Sequence, residues 1–325
     1  MTEKVINLVA DIGGTNIRLG YFEHDEPASA LKVYQCGDYP SLAAVVNTYI
    51  EESQLTGQII NACFAIACPV ENDLISMTNL PWKFSKSELK EELSLNKLVF
   101  INDYTAIAHA VPYLSEQQKI KIGAGESISN KPISICGPGT GLGVANVVPV
   151  DNHWHALGGE GGHVDFAPVD ELESKILSFL LTKYEHVSYE QLLSGLGLEQ
   201  IYQALSHIQQ QQPQALTAKE ISEKALNQQC ALCEQSLAQF CKILGSFAGN
   251  LALTLASFGG VYIAGGIVPR FIEYFKNSEF RSRFESKGRF KAFNQSIATF
   301  VITESQPGIL GASAYLRQHN LQHQG

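Results

Sequence analysis

Basic charge is in short supply in this sequence. Its 325 residues carry 23 Lys and Arg against 32 Asp and Glu, a formal charge of −9. A nucleic-acid binder needs a basic face to meet the phosphate backbone, so this balance argues against nucleic acid as a partner. An anionic ligand would have to be held by local devices such as backbone N–H groups or a metal ion. The opening residues, MTEKVINLVADIGG, lack a basic n-region, an apolar h-region and a small-residue cleavage site, so they read as a cytosolic, cytoplasmic N-terminus that begins with a strand. One stretch, residues 243–269, has no charged side chain. Asn250, Pro269 and the pairs Gly259-Gly260 and Gly265-Gly266 break it into a helix, a turn and a short strand, so no membrane span is expected. Seven cysteines, an odd number, predict reduced thiols. Cys230 and Cys233 form a CxxC without a second pair, which reads as buried thiols rather than a zinc site. The chain has no G-x-x-x-x-G-K-[ST], no clean G-x-G-x-x-G, and no helix-turn-helix ahead of its first strand.

The length exceeds what one core comfortably serves, and 45% hydrophobic residues permit ample burial, so two folded domains are expected. Residues 5–22 (VINLVADIGGTNIRLGYF) and 131–148 (KPISICGPGTGLGVANVV) share a plan of apolar strand, glycine turn and second strand. Glycine turns between strands make hairpins, and their recurrence predicts a duplicated α/β design in which each copy offers a phosphate-facing turn. Helical spacing covers Ser41–Glu52 and Ser85–Leu93, the latter with a Ser85/Glu88 capping box. Residues 61–70 and 97–101 read as buried strands. Residues 170–257 read as largely helical, with Glu171–Tyr184 amphipathic and the glutamine tract 209–214 a connector. Residues 261–266 return as a strand, and 308–318 as a last helix with a frayed tail.

Four places can carry chemistry. In Asp11-Ile12-Gly13-Gly14-Thr15-Asn16 the paired glycines let the backbone approach an anion. A carboxylate beside a phosphate needs a hard cation between them, and Mg²⁺ keeping its own waters suits Asp11; an ordinary tight hairpin explains the same turn. The run 137–143 has four glycines in seven residues, more than a hairpin needs, and Thr140 adds a hydroxyl donor. Asn102 and Asp103 end a strand, where a carboxylate can take a proton from an attacking hydroxyl; either residue also serves as a helix N-cap. Glycines flank Glu160 and His163 in GGEGGHVDF, an arrangement suited to a ligand rich in hydroxyls, although a structural histidine is the alternative. His153 and His155 need no ligand, and Glu190 on its own reads as a solvated helix face.

Taken together and in order, DIGGTN, IND, GPGTGLG, GGEGGHVDF, HVSYEQLLSG and VYIAGGIVPRF resemble the bacterial ATP-dependent glucokinase family over about residues 5–318. The resemblance is to the group without the cysteine-rich zinc motif of the repressor/ORF/kinase (ROK) sugar kinases. It implies a two-domain α/β, actin-like (ribonuclease H-like) ATPase fold around a cleft. A small domain would hold residues 1–113 plus 304–325, and a large one 114–303. It implies ATP:D-glucose 6-phosphotransferase activity, the first step of glycolysis, with ATP and Mg²⁺ required and a homodimer as the assembly. Asp103 would be the base toward the sugar 6-hydroxyl, and Asn102, Asp103, Glu160, His163 and Glu190 would bind glucose. Ala10, Asp11, Ile12, Gly13, Gly14, Thr15, Gly139, Thr140 and Gly141 would hold the ATP phosphates. Gly265 and Gly266 would line the adenosine pocket, and Asp11 would orient Mg²⁺ through water. Ala10, Pro138 and Leu196 stand where this family usually has glycine, often alanine and frequently proline, departures that touch loop stiffness rather than chemistry. A kinase of another sugar, a non-enzymatic sugar sensor and a chaperone-like ATPase are the rival readings.

Overall fold

The computed structural model describes residues 4–24, 26–77 and 80–321. They form a mixed α/β chain that divides into two compact units, one of residues 1–114, 150–158 and 304–325, the other of 115–149 and 159–303.

The first unit is built on a five-stranded sheet. Its strands are β1 (Val5–Ile12), β2 (Asn16–Phe22), β3 (Ser29–Gln35), β4 (Ile59–Ile66) and β7 (Lys97–Asn102), in the order β3-β2-β1-β4-β7; a separate hairpin joins β5 (Leu74–Ser76) and β6 (Lys83–Ser85). β1 and β2 pair antiparallel, whereas β1, β4 and β7 run parallel. Alternation along β1 sorts its side chains. Ile6, Leu8, Ala10 and Ile12 enter a core with the helix Leu42–Glu52, and Val9 enters another with Ile309, Ala312 and Leu316 of the helix Pro307–Leu321. A sheet covered on both faces needs near-continuous apolar strands, which is how residues 61–66 read. Gly311 allows the closest approach: a Cβ there would lie on the Ala106 carbonyl, so the last helix meets the helix Asp103–Ala110 backbone to backbone.

The second unit repeats the plan. β8 (Lys119–Lys121), β9 (Ile133–Pro138), β10 (Leu142–Val150), β12 (Val261–Ile263) and β13 (Thr299–Ile302) lie in the order β10-β9-β12-β13-β8. β9 and β10 form the antiparallel hairpin, and β9, β12 and β13 run parallel. The strand sequence hairpin, parallel, parallel is therefore common to the two sheets. Helices Gly195–Ile208 and Ala231–Leu255 cover the second one, their Leu198, Ile201, Leu237, Phe240 and Leu244 buried in one core.

Several expectations need correction. β11 (His153–Gly159) lies within the residues assigned to the larger domain, but Val150–Gly158 belongs to the first unit. There Trp154 N–H donates to Gln318 Oε1 and Gln318 Nε2 donates to the Trp154 carbonyl, both at 3.0 Å. The helix from Glu171 stops at Leu180, where Thr182 Oγ1 donates to the Phe179 carbonyl and competes with the backbone ladder. Ser85 Oγ accepts the Glu88 N–H at 3.1 Å, but the carboxylate that meets this helix start is Asp73, whose Oδ1 accepts the Ser87 N–H at 3.0 Å, not Glu88 of the expected capping box. Cys230 caps the helix Ala231–Leu255, its Sγ accepting the Cys233 N–H. No described helix is long and apolar enough to cross a membrane. The last helix runs Pro307–Leu321, past the expected end at residue 318, and the rest of the expected frayed tail, residues 322–325, lies outside the described residues.

Candidate active site

Parallel strands end together, and their carboxyl ends are where an α/β sheet presents reactive groups. In the first unit Ile12 of β1 pairs with Ile66 of β4, which pairs with Asn102 of β7. Asp11 and Asp103 therefore emerge at one edge. Asn102 Oδ1 accepts the N–H groups of Tyr104 and Thr105 at 2.9 and 3.3 Å, so the capping role predicted for it is filled. Asp103 opens the helix, with Oδ1 2.9 Å from the Tyr104 N–H. Burial pushes the Asp103 carboxyl up to about 6, and the Asp11 charge adds to the rise. The backbone N–H of Tyr104 and the Asn102 side chain pull the other way. A base whose pKa lies near the working pH combines the right protonation state with useful proton affinity.

Asp11 is also raised by burial, partly offset by Arg18, which faces it across the hairpin at 3.6 Å. Gly308, in the first turn of the last helix, meets this carboxylate: a Cβ there would stand 2.7 Å from Asp11 Cγ. A helix N-terminus favours a negative charge. In the turn itself the Gly13 N–H is spent on the Asn16 carbonyl at 3.0 Å, and the Gly14 and Thr15 N–H groups have no protein acceptor among the described residues. Ala10 and Ile12 point their side chains into the core, so they can offer a nucleotide only backbone.

In the second unit the Gly139–Gly141 turn closes the β9–β10 hairpin. The Gly139 N–H donates to the Gly141 carbonyl at 2.8 Å, and the Leu142 N–H donates to Glu190 Oε2 at 2.9 Å. The nest of donors expected from the glycines thus narrows to the N–H groups of Thr140 and Gly141, with no protein acceptor among the described residues. Gly139 and Thr140 line a cavity of about 440 Å³, together with Gly266, Lys219, Arg270 and Phe271. Gly265 does something else. At φ +80° it brings the end of β12 against β9, where a Cβ would meet the Pro138 carbonyl at 2.4 Å.

Glu160, His163 and Glu190 converge. His163 Nε2 lies 4.0 Å from Glu160 Oε2 and 3.8 Å from Glu190 Oε1, with side-chain exposures of 57%, 81% and 31% respectively. These separations exceed hydrogen-bond length, so the facing donors and acceptors are unspent and open to a ligand. His163 is not the satisfied core histidine of the alternative reading. Glu190 does not ride a helix face, since it sits in the turn before the helix Gly195–Ile208, with its N–H on the Gly162 carbonyl at 2.9 Å.

A family model described as Glucokinase matches residues 8–319. The chain belongs to the glucokinase family. It is 63% identical to a glucokinase of Colwellia psychrerythraea over 320 residues, covering 97% of each chain. Its identity to a glucokinase of Cronobacter sakazakii is 50% over 312 residues, covering 96% of this chain and 97% of that one. Among solved structures, a glucokinase from an Antarctic psychrotroph matches with a TM-score of 0.89 at 36% identity, covering 97% of this chain and 99% of that one. The two-domain α/β sugar-kinase fold follows from this likeness.

Set within the glucokinase family, the cavity adds residues that sequence reasoning missed. Lys219 and Ser222 come from the helix Ala218–Leu226, whose amphipathic pattern gave no sign of a ligand. Arg270 and Phe271 stood in the quoted VYIAGGIVPRF, where a lone cation beside a glycine strand-end was the available signal. Arg270 has no carboxylate partner among the described residues, and Lys219 approaches Glu223 only to 3.8 Å.

Proposed function

We propose that this chain transfers the γ-phosphoryl group of ATP to the 6-hydroxyl of D-glucose, giving glucose 6-phosphate and ADP, the first step of glycolysis. It is an enzyme, a glucose kinase and transferase of the ATP:D-glucose 6-phosphotransferase class. The observation that carries the mechanism is Asp103, a carboxyl at a strand end whose pKa is held near 6. In this reading Asp103 aligns the 6-hydroxyl and takes its proton as the oxygen attacks phosphorus, so that the P–O bond to ADP breaks as the new one forms. Asn102 orients Asp103 and contributes its amide to the sugar. Glu160, His163 and Glu190 accept or donate to the remaining hydroxyls. A site that hydrogen-bonds each hydroxyl discriminates by large factors, because a missing or inverted group leaves a polar atom unpaired.

For ATP, the 10–15 turn and Gly139–Gly141 grip the phosphates. Gly266, Ile267 and Phe271 flank the base, and Lys219 and Arg270 add positive charge to a chain of formal charge −9. A divalent cation fits Asp11, because its donor is a hard oxygen, largely withdrawn from water and only partly compensated by Arg18. Mg²⁺ held there through water would neutralise charge building on the phosphates. The shared order of the two sheets supports the actin-like, ribonuclease H-like assignment. The absence of a cysteine-rich motif from the sequence supports the non-ROK branch. Family likeness supports a cytoplasmic homodimer, which light scattering on the purified protein tests. No nucleic acid or membrane enters the proposal.

The deciding assay is ADP release by the purified protein with a panel of hexoses, with Mg²⁺ present and with it chelated. Release dependent on glucose and Mg²⁺ is expected. Sugar-independent ATP hydrolysis, or preference for another hexose, would reject the assignment.

A further inference from the structure

We infer that Glu190 couples the two substrates to each other within the second unit, and that Gly141 is the position that lets it do so. The inference rests on the reading of glucose and ATP as ligands given above. The two oxygens of Glu190 have different partners. Oε2 accepts the N–H of Leu142, the residue that ends the Gly139–Gly141 turn, at 2.9 Å. Oε1 faces His163 Nε2 at 3.8 Å, too far to be spent on it and within reach of a shared sugar hydroxyl. One carboxylate thus belongs to the nucleotide turn and to the sugar site at once.

The backbone around it repeats the connection. Glu190 N–H donates to the Gly162 carbonyl, and Gly195 N–H to the Gly139 carbonyl, each at 2.9 Å. Ser194 Oγ donates to the Glu190 carbonyl at 2.8 Å and accepts the Gly197 N–H at 3.0 Å. Gly162 in turn lies so near β10 that a Cβ on it would stand 2.1 Å from the Leu142 carbonyl. The segments 160–163, 139–142 and 190–197 are therefore one hydrogen-bonded assembly, in which the carboxylate cannot shift for one ligand without shifting for the other. A hydroxyl on Oε1 fixes the carboxylate and, through Oε2, the turn. A phosphate on the Thr140 and Gly141 N–H groups fixes the turn and, through Leu142, the carboxylate. Each ligand then tightens the other by the same factor, as linkage requires.

Gly141 provides the means to break the link. A Cβ at this position would lie 2.5 Å from Glu190 Oε2, and the backbone there is outside the left-handed region, so alanine is conformationally allowed but displaces the carboxylate. Calorimetric titration measures the affinity for glucose without nucleotide, and the affinity for the β,γ-imido analogue of ATP with and without saturating glucose. For the unaltered protein, mutual tightening in the range of ~5- to 150-fold is expected. Gly141→Ala is expected to weaken glucose about 10-fold with no nucleotide present, the size of a lost charged hydrogen bond, and to bring the coupling factor toward one. Ser194→Ala, outside both ligand sites, is expected to lower the coupling factor, and Ser194→Thr to restore it; thermal unfolding verifies that each variant is folded. Glucose binding by Gly141→Ala at the unaltered affinity, or a coupling factor unchanged in Gly141→Ala and Ser194→Ala, would overturn the inference. Failure of the unaltered protein to bind glucose at all would overturn the functional reading first, and this inference with it.

Discussion

The two units spend their carboxylates differently. In the first, Asp11 and Asp103 stand at the ends of parallel strands, half-buried and raised in pKa by their burial. In the second, Glu160 is 81% exposed, and Glu190 at 31% keeps one oxygen unspent. A buried carboxyl with a shifted pKa is costly to maintain, and such groups gather where chemistry is done. An exposed carboxylate with free lone pairs suits a ligand that brings its own hydroxyl hydrogens. The two units thus hold their carboxylates in different solvation, one set suited to proton and metal chemistry and the other to binding.

The sharpest way to break this contrast is to remove one member of each pair. Asp103→Ala is expected to lower turnover by ~10²–10⁴-fold with the glucose KM altered far less, measured by a coupled ADP assay on protein shown to be folded. The pH profile comes next. The proposed base role requires the ionised Asp103, whose pKa is raised to about 6, so turnover should fall about tenfold per unit as pH drops below 6 and reach a plateau above 7. A flat profile between pH 5 and 7 would show that this carboxyl does not titrate in the rate-determining step. Glu160→Ala should act the opposite way to Asp103→Ala, raising the glucose KM about tenfold and changing kcat little, as loss of a binding hydrogen bond does. A dominant effect on kcat would erase the distinction between the units.

The smallest expected effect concerns stability. Because the folded-state pKa of Asp103 lies above its unfolded value, the folded protein prefers the neutral carboxyl, and stability is lost as pH rises from about 4 to about 6. Asp103→Asn keeps the acceptor for Tyr104 and removes the buried charge. The variant should gain on the order of 2 kcal/mol at pH 7.5, and nothing at pH 4. Thermal melts at the two pH values test it, and an equal Tm difference at both would refute the electrostatic origin.

Much of this arrangement could be read from residue order. Glycine turns between apolar strands announced both hairpins, and an Asn-Asp pair after LVFI marked a strand end entering a helix. What stayed hidden was set by long-range contact. Glu190 reads as a helix-face residue because its immediate neighbours are helix formers, and only the Leu142 N–H, 48 positions away, shows where its carboxylate is held. Gly265 and Gly266 look equivalent in sequence, yet one meets the Pro138 carbonyl and the other opens onto a cavity. Residues 150–158 carry no local sign that Gln318 is their partner. Lys219 and Arg270 became visible as ligand candidates only once separate helices had brought them around the cavity.

The seat of the last helix has a consequence for biosynthesis. Gly308 against Asp11 and Gly311 against Ala106 mean that the edge bearing both aspartates is completed by residues synthesised after every strand of both sheets. A nascent chain halted near residue 305 holds every strand of the second sheet but lacks the helix that backs the first. The half of the molecule that bears Asp11 and Asp103 is thus the later one to be completed on the ribosome, after every strand of the second sheet has emerged.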